Sequence, residues 1–173
     1  MSGVLDDVQA VLRTTPGRWE VLVRGLGANL LERSPAAGEW SAVECLRHLV
    51  DAERVFTTRV GSFLVGKPIA TFDPDRQVRP RRGRATDLGV ELTRLRASSL
   101  VLLETLTADD LGRRTRHEEY GEVTLEQMLN EWAAHDLMHT VQAERAVMQP
   151  FLPRTGPWRS LFADHDLAVG AAP

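Results

Sequence analysis

Residues 124–148, TLEQMLNEWAAHDLMHTVQAERAVM, read as one long helix with a marked start and a marked end. Thr124 followed by Gln127 matches the capping box, in which a hydroxyl and a third-position side chain satisfy each other's free backbone N–H groups. Leu125, Leu129 and Trp132 then recur at helical spacing, and Pro150 closes the segment. A helix of this length has to bury its apolar face against other helices, so the rest of the chain is read for partners of similar length.

Three are found. Val4, Leu5, Val8, Val11 and Leu12 recur at helical spacing until Pro16, which reads as the start of a second segment carrying Trp19, Leu22, Val23 and Leu26. Together they form a broken first helix, followed by a connector over 33–40. Ser41 and Glu44 make a second capping box and open a helix of about 24 residues that Gly66-Lys67-Pro68 ends. A third helix covers about 86–106, with Leu88, Leu92, Leu95 and Leu103 among its apolar positions. Residues 155–166 predict a short helix around Trp158, Leu161 and Phe162, and 168–173 a disordered tail. No alternating run long enough for a strand stands out. Residues 65–84 carry Gly66, Pro68, Pro74, Pro80 and Gly83 and predict a connection without regular structure. Neighbouring antiparallel helices are usually joined by 2–8 residues, so this link predicts a long crossover between helices two and three. The fold class is therefore all-α, a four-helix bundle with one crossover in a single domain over 1–167.

Composition agrees. The chain has 173 residues, 43% hydrophobic and 26% charged, with a formal charge of −3. That balance fits an ordinary globular protein and excludes a strongly basic nucleic-acid binder. Cys45 is the single cysteine, which rules out an internal disulfide and fits a reducing, cytoplasmic compartment. No apolar stretch reaches membrane-spanning length. Twenty arginines stand against the lone Lys67, a bias too general to mark a site. Arg76, Arg79, Arg81, Arg82 and Arg84 read as a solvated loop rather than a nucleic-acid or phosphate patch, since only Phe72 lies near them as an aromatic and the net charge is negative; an arginine there could still meet an anionic substrate.

The chemistry lies in His135-Asp136-Leu137-Met138-His139. Histidines four apart share one helical face and can reach a single cation. Glu131, four residues earlier, and Gln142, three later, extend that polar stripe; both are candidates for contact with a bound ligand or support of the histidines. His48, among Leu46, Leu49 and Val50, is the candidate third ligand from a facing helix. Three imidazoles and an open position make the ligand set of a catalytic rather than a structural site. Glu44 or Asp51 could accept the second ring N–H of His48, although Glu44 is already assigned to the cap. Cys45 reads as a buried small hydrophobe, and as a fourth ligand only if it turns inward beside His48. The stretch 135–139 also superficially matches H-E-x-x-H, but Asp136 replaces the glutamate and no matching downstream ligand follows. His117 and Tyr120, just before the last helix, could rim the pocket but read first as surface residues, and His165 as incidental.

Several of these segments also carry a resemblance. Glu39-Trp40-Ser41-Ala42-Val43-Glu44-Cys45-Leu46-Arg47-His48-Leu49 resembles the second-helix motif of the DinB/YfiT-like superfamily. Gly121-Glu122-Val123-Thr124-Leu125, followed by His135, His139 and Gln142, is similar to that family's last-helix motif, and Gly156-Pro157-Trp158-Arg159 to its closing segment. The resemblance implies a homodimer and a divalent metal, zinc or nickel foremost, held by His48, His135 and His139. Characterised relatives include thiol-dependent transferases and isomerases, among them the mycothiol-dependent maleylpyruvate isomerase group. The expected function is thus a metal-dependent enzyme that activates a low-molecular-weight thiol toward a small electrophile. Metal-dependent hydrolysis through a bound hydroxide is one alternative, and a non-catalytic metal-binding helical dimer another. The expected partner is a small-molecule substrate, with neither nucleic acid nor membrane.

Overall fold

The computed structural model describes residues 3–72 and 83–167. Four long helices dominate the described residues: α1 (Val4–Gly25), α3 (Ala42–Leu64), α4 (Ala85–Leu103) and α5 (Leu125–Met148), with a single turn, α2 (Ala28–Leu31), after the first. Helices α1 and α3 each pack against both α4 and α5. The helices on either side of the connector are therefore diagonal partners, and the α3–α4 connection over 65–84 links neighbours. This is the expected four-helix bundle. Pro74, Pro80 and the arginines at 76, 79, 81 and 82 lie outside the described residues, as does the tail at 168–173.

Both predicted capping boxes are present. The Ser41 N–H donates to Glu44 Oε2 (2.7 Å) and the Glu44 N–H to Ser41 Oγ (3.3 Å). At α5 the corresponding bonds join Thr124 to Gln127 at 2.8 and 3.2 Å. The core falls into two clusters, one around Leu12, Phe56, Leu129 and Trp132, the other around Trp19, Leu46, Leu49 and Leu92.

The first helix is not broken. Pro16 sits inside a continuous α1. A proline removes the N–H that would bond the carbonyl four residues earlier, here that of Leu12. The buried guanidinium of Arg96 takes its place, donating from Nη1 to Leu12 O at 2.6 Å. The same side chain clamps the Glu53 carboxylate through Nε (2.9 Å) and Nη2 (2.7 Å), and Nη1 lies 2.8 Å from Asp136 Oδ2. A polar knot from all four long helices thus replaces one helical hydrogen bond, which is why the sequence break leaves no structural break.

Two further expectations need correction. Residues 114–124 form a β-hairpin, although no alternating run signalled a strand. Strands β1 (Arg114–His117) and β2 (Gly121–Thr124) pair antiparallel, and Gly121 takes the left-handed φ of 76° that the tight turn requires. The strands are only four residues long, too short for alternation to show. The opening of the crossover is also ordered: the Ile69 N–H donates to Arg116 O (3.0 Å) and the Glu118 N–H to Ile69 O (3.1 Å), bridging Ile69 to β1. The short helix expected around Trp158 is present as a 3-10 helix over Gly156–His165, with Trp158 and Leu161 exposed. No helix among the described residues is long and apolar enough to cross a membrane.

Candidate metal centre

His48 enters from α3, two turns beyond the Ser41 cap, and His135 and His139 from adjacent turns of α5. One ring nitrogen from each lies within 4.8 Å of the other two. His48 Nε2 and His135 Nε2 are 2.9 Å apart. For comparison, two nitrogens bound tetrahedrally at 2.0–2.1 Å would stand about 3.3 Å from each other. The site forms because α3 and α5 pack together, which brings a residue 87 positions away onto the histidine pair.

Burial favours the neutral form of all three rings. Burial lowers His48 to about 4, helped by His139, and lowers His135 to about 3, helped by His139, His48 and Arg59. Burial also lowers His139, against the opposing pull of its bond to Gln142. Neutral imidazole is the ligand form, so each ring has a lone pair to give. Two lone pairs facing each other at 2.9 Å repel unless a proton or a cation lies between them. Gln142 Oε1 accepts from His139 Nδ1 at 2.8 Å and so leaves the Nε2 lone pair of that ring free. His135 Nδ1 is buried and has no hydrogen-bond partner among the described residues. Trp40 stacks on His139 and tilts against His48, with ring centroids at 5.7 and 5.0 Å.

The other sequence candidates separate clearly. Glu131 is half exposed at the rim of a cleft that His135 also lines. Asp136 is turned away from the histidines into the knot with Arg96, so the superficial H-E-x-x-H reading has no base on the histidine side. Glu44 serves the α3 cap as expected, and Asp51 forms an ion pair with Arg54 at 3.1 Å. Cys45 is fully buried outside the cluster; burial and the neighbouring Glu44 push its thiol up to about 12, so it stays protonated.

Of two further residues beside this centre, the sequence singled out only one. Arg59 is buried in the cleft wall, three turns along α3 from His48, and that eleven-residue spacing on one helical face was a usable signal. His117, read first as a surface residue, is 5% exposed because β1 folds it under the Ile69 bridge; Tyr120 is exposed as expected, and both line the cleft, the other reading the sequence allowed. Nothing in the local sequence signals that burial.

The comparisons with known proteins agree with this architecture. No curated protein sequence matches the chain. Among solved structures, YfiT from Bacillus subtilis, described as a probable metal-dependent hydrolase with an unusual four-helix bundle topology, superposes with a TM-score of 0.76 at 20% identity, covering 84% of this chain and 87% of that one. The family model of the DinB superfamily matches residues 12–143, from the middle of α1 through both histidine-bearing helices, and the chain belongs to that superfamily.

Proposed function

We propose that the chain is a divalent-cation-dependent enzyme acting on a small molecule, with hydrolysis as the reaction its site supports best. The observation that carries this reading is the convergence of three neutral imidazoles from α3 and α5 on one point. Their nitrogen donors suit zinc or nickel. When bound, such a cation supplies Lewis-acid polarisation of a substrate carbonyl and of an attacking water. His48, His135 and His139 would hold it, and Gln142 fixes the orientation of His139. Glu131, one turn before His135 and open to solvent, is the group available to take a proton from the attacking water. The fold similarity to YfiT, itself described as a probable hydrolase, supports the same reaction class. The thiol-transfer expectation, drawn from the three-histidine set and the family resemblance, finds no support in the comparisons.

Metal content of the purified protein tests the site. Wild type should carry about one equivalent of divalent metal, and His48→Ala should lose it while keeping its helical circular dichroism. Unchanged metal in that variant would overturn the proposal. Ester hydrolysis that stops on chelation and returns with zinc supports the reaction class. Turnover that requires an added low-molecular-weight thiol would replace hydrolysis with thiol transfer, and a loaded protein inert to both would be a non-catalytic metal binder.

A further inference from the structure

We propose that the cleft between Arg59 and His117 binds the carboxylate of a small, singly charged organic acid and holds it against the histidine cluster. The inference names the substrate class of the cation-dependent reaction proposed above and rests on that reading for its catalytic consequence, although the binding itself needs no cation.

The argument begins with His117. Its Nδ1 accepts from two backbone N–H groups, those of Glu119 (3.1 Å) and Tyr120 (3.3 Å). A ring nitrogen that accepts carries no proton, so the neutral imidazole is fixed as the Nε2–H tautomer. Nε2 lies 3.5 Å from Arg59 Nη2. Arginine has donors only, so this contact sets one donor against another and is no hydrogen bond. An acceptor that both groups can share would resolve it.

Arg59 has the same need. Its Nη2 reaches the Ala70 carbonyl at 3.1 Å, but its Nε–H is buried without a partner among the described residues. Nη1 stands 3.8 Å from Glu131 Oε2, beyond hydrogen-bond reach, and Glu131 is 55% exposed, so water screens that pair. The Arg59 side chain itself is only 9% exposed. A buried guanidinium with a free donor, beside an imidazole N–H that also lacks an acceptor, is a recognition site for an anion.

Charge and shape choose the anion. One guanidinium and one neutral imidazole present a single positive charge, and Glu131 at the rim repels a second negative charge. A monoanionic carboxylate fits that count better than a phosphate dianion, and its plane matches the guanidinium fork. The cleft measures about 150 Å³, and the rings of Phe72 and Tyr120 give it apolar walls for the body of a small acid. His135 lines the same cleft, so an acid anchored at Arg59 extends toward the three histidines.

The test is titration of the full chain with sodium propionate, in metal-free and zinc-loaded forms, following the 1H–15N signals of Arg59 Nε and the His117 ring. Both signals should shift saturably in both forms, and inorganic phosphate at matched ionic strength should bind more weakly. Arg59→Gln and His117→Gln should each weaken propionate binding by about tenfold or more, with circular dichroism unchanged. Arg59→Lys, which keeps the charge and loses the fork, guards against a folding failure and should also weaken binding. Absence of saturable shifts, equal binding by wild type and Arg59→Gln, tighter phosphate than propionate, or shifts only at the metal-site histidines of the zinc-loaded form would each overturn the inference. Propionate binding at Arg59 in a protein that takes up no zinc would leave this inference standing and remove the cation reading.

Discussion

Replacing Arg96 with methionine tests whether the buried knot holds the bundle together. Arg96 is 1% exposed and stands between Glu53 at 1% and Asp136 at 2%, so its loss strands two carboxylates away from water. Burial already raises the Asp136 carboxyl, against the pull of Arg96. Breaking a buried ion pair by removing one partner costs about 3–5 kcal/mol. The Leu12 carbonyl, which Pro16 cannot serve, would lose its donor for roughly another 1–3 kcal/mol. A loss of about 4–8 kcal/mol is comparable with the whole stability of many domains of about 5–15 kcal/mol. Urea unfolding monitored by circular dichroism gives the difference directly. Pro16→Ala supplies the control, since it restores an N–H at position 16. It should stabilise the Arg96→Met background more than wild type, by about 1–3 kcal/mol, because only there does Leu12 lack a donor. An Arg96→Met loss under about 1 kcal/mol, or an equal gain from Pro16→Ala in both backgrounds, would refute the reasoning.

Three other outcomes are expected. Gln142→Ala removes the acceptor that orients His139 and should weaken zinc binding by about 10–100-fold by competition with a chelating dye, with the fold unchanged. The metal-free protein should lose stability as pH falls from about 6.5 toward 4, because the unfolded chain takes up protons that folded His48 and His135 refuse. The slope approaches about 1.4 kcal/mol per pH unit for each histidine, reduced by the part of each ring that water screens; pH-dependent urea titrations read it, and a flat profile would contradict the neutral cluster. Leu137, Met138 and Val141 are exposed on α5, as are Trp158 and Leu161 on the following 3-10 helix. Light scattering should therefore return twice the 19.3 kDa chain mass, and Met138→Glu should shift it toward the monomer.

The bundle was legible because its helices announce their own boundaries. Ser41 with Glu44 and Thr124 with Gln127 are local signals, complete within four residues, and both formed as read. The histidine pair was legible for the same reason, and His48 followed from its place among apolar neighbours on a facing helix. Pro16 misled because its replacement donor lies 80 positions away on α4, where no local reading reaches it. The hairpin escaped notice because four-residue strands show no period, and with it went the burial of His117. Arg59 drew no notice because arginines are mostly exposed, although its spacing from His48 placed it on the inner face.

The small ribbon at the end of the bundle ties distant parts of the molecule into one cooperative patch. Ile69, Thr71 and the Lys67 carbonyl are bonded to Arg116, Glu118 and Thr115, so the start of the crossover and the hairpin share their backbone protection. The amides that hold the His117 tautomer belong to the turn of the same ribbon. Amide hydrogens from residues 67–71 and 114–120 should consequently exchange with solvent as a single unit, separate from the helices. Fraying at either end of that ribbon would erase the imidazole's proton assignment without moving a single helix.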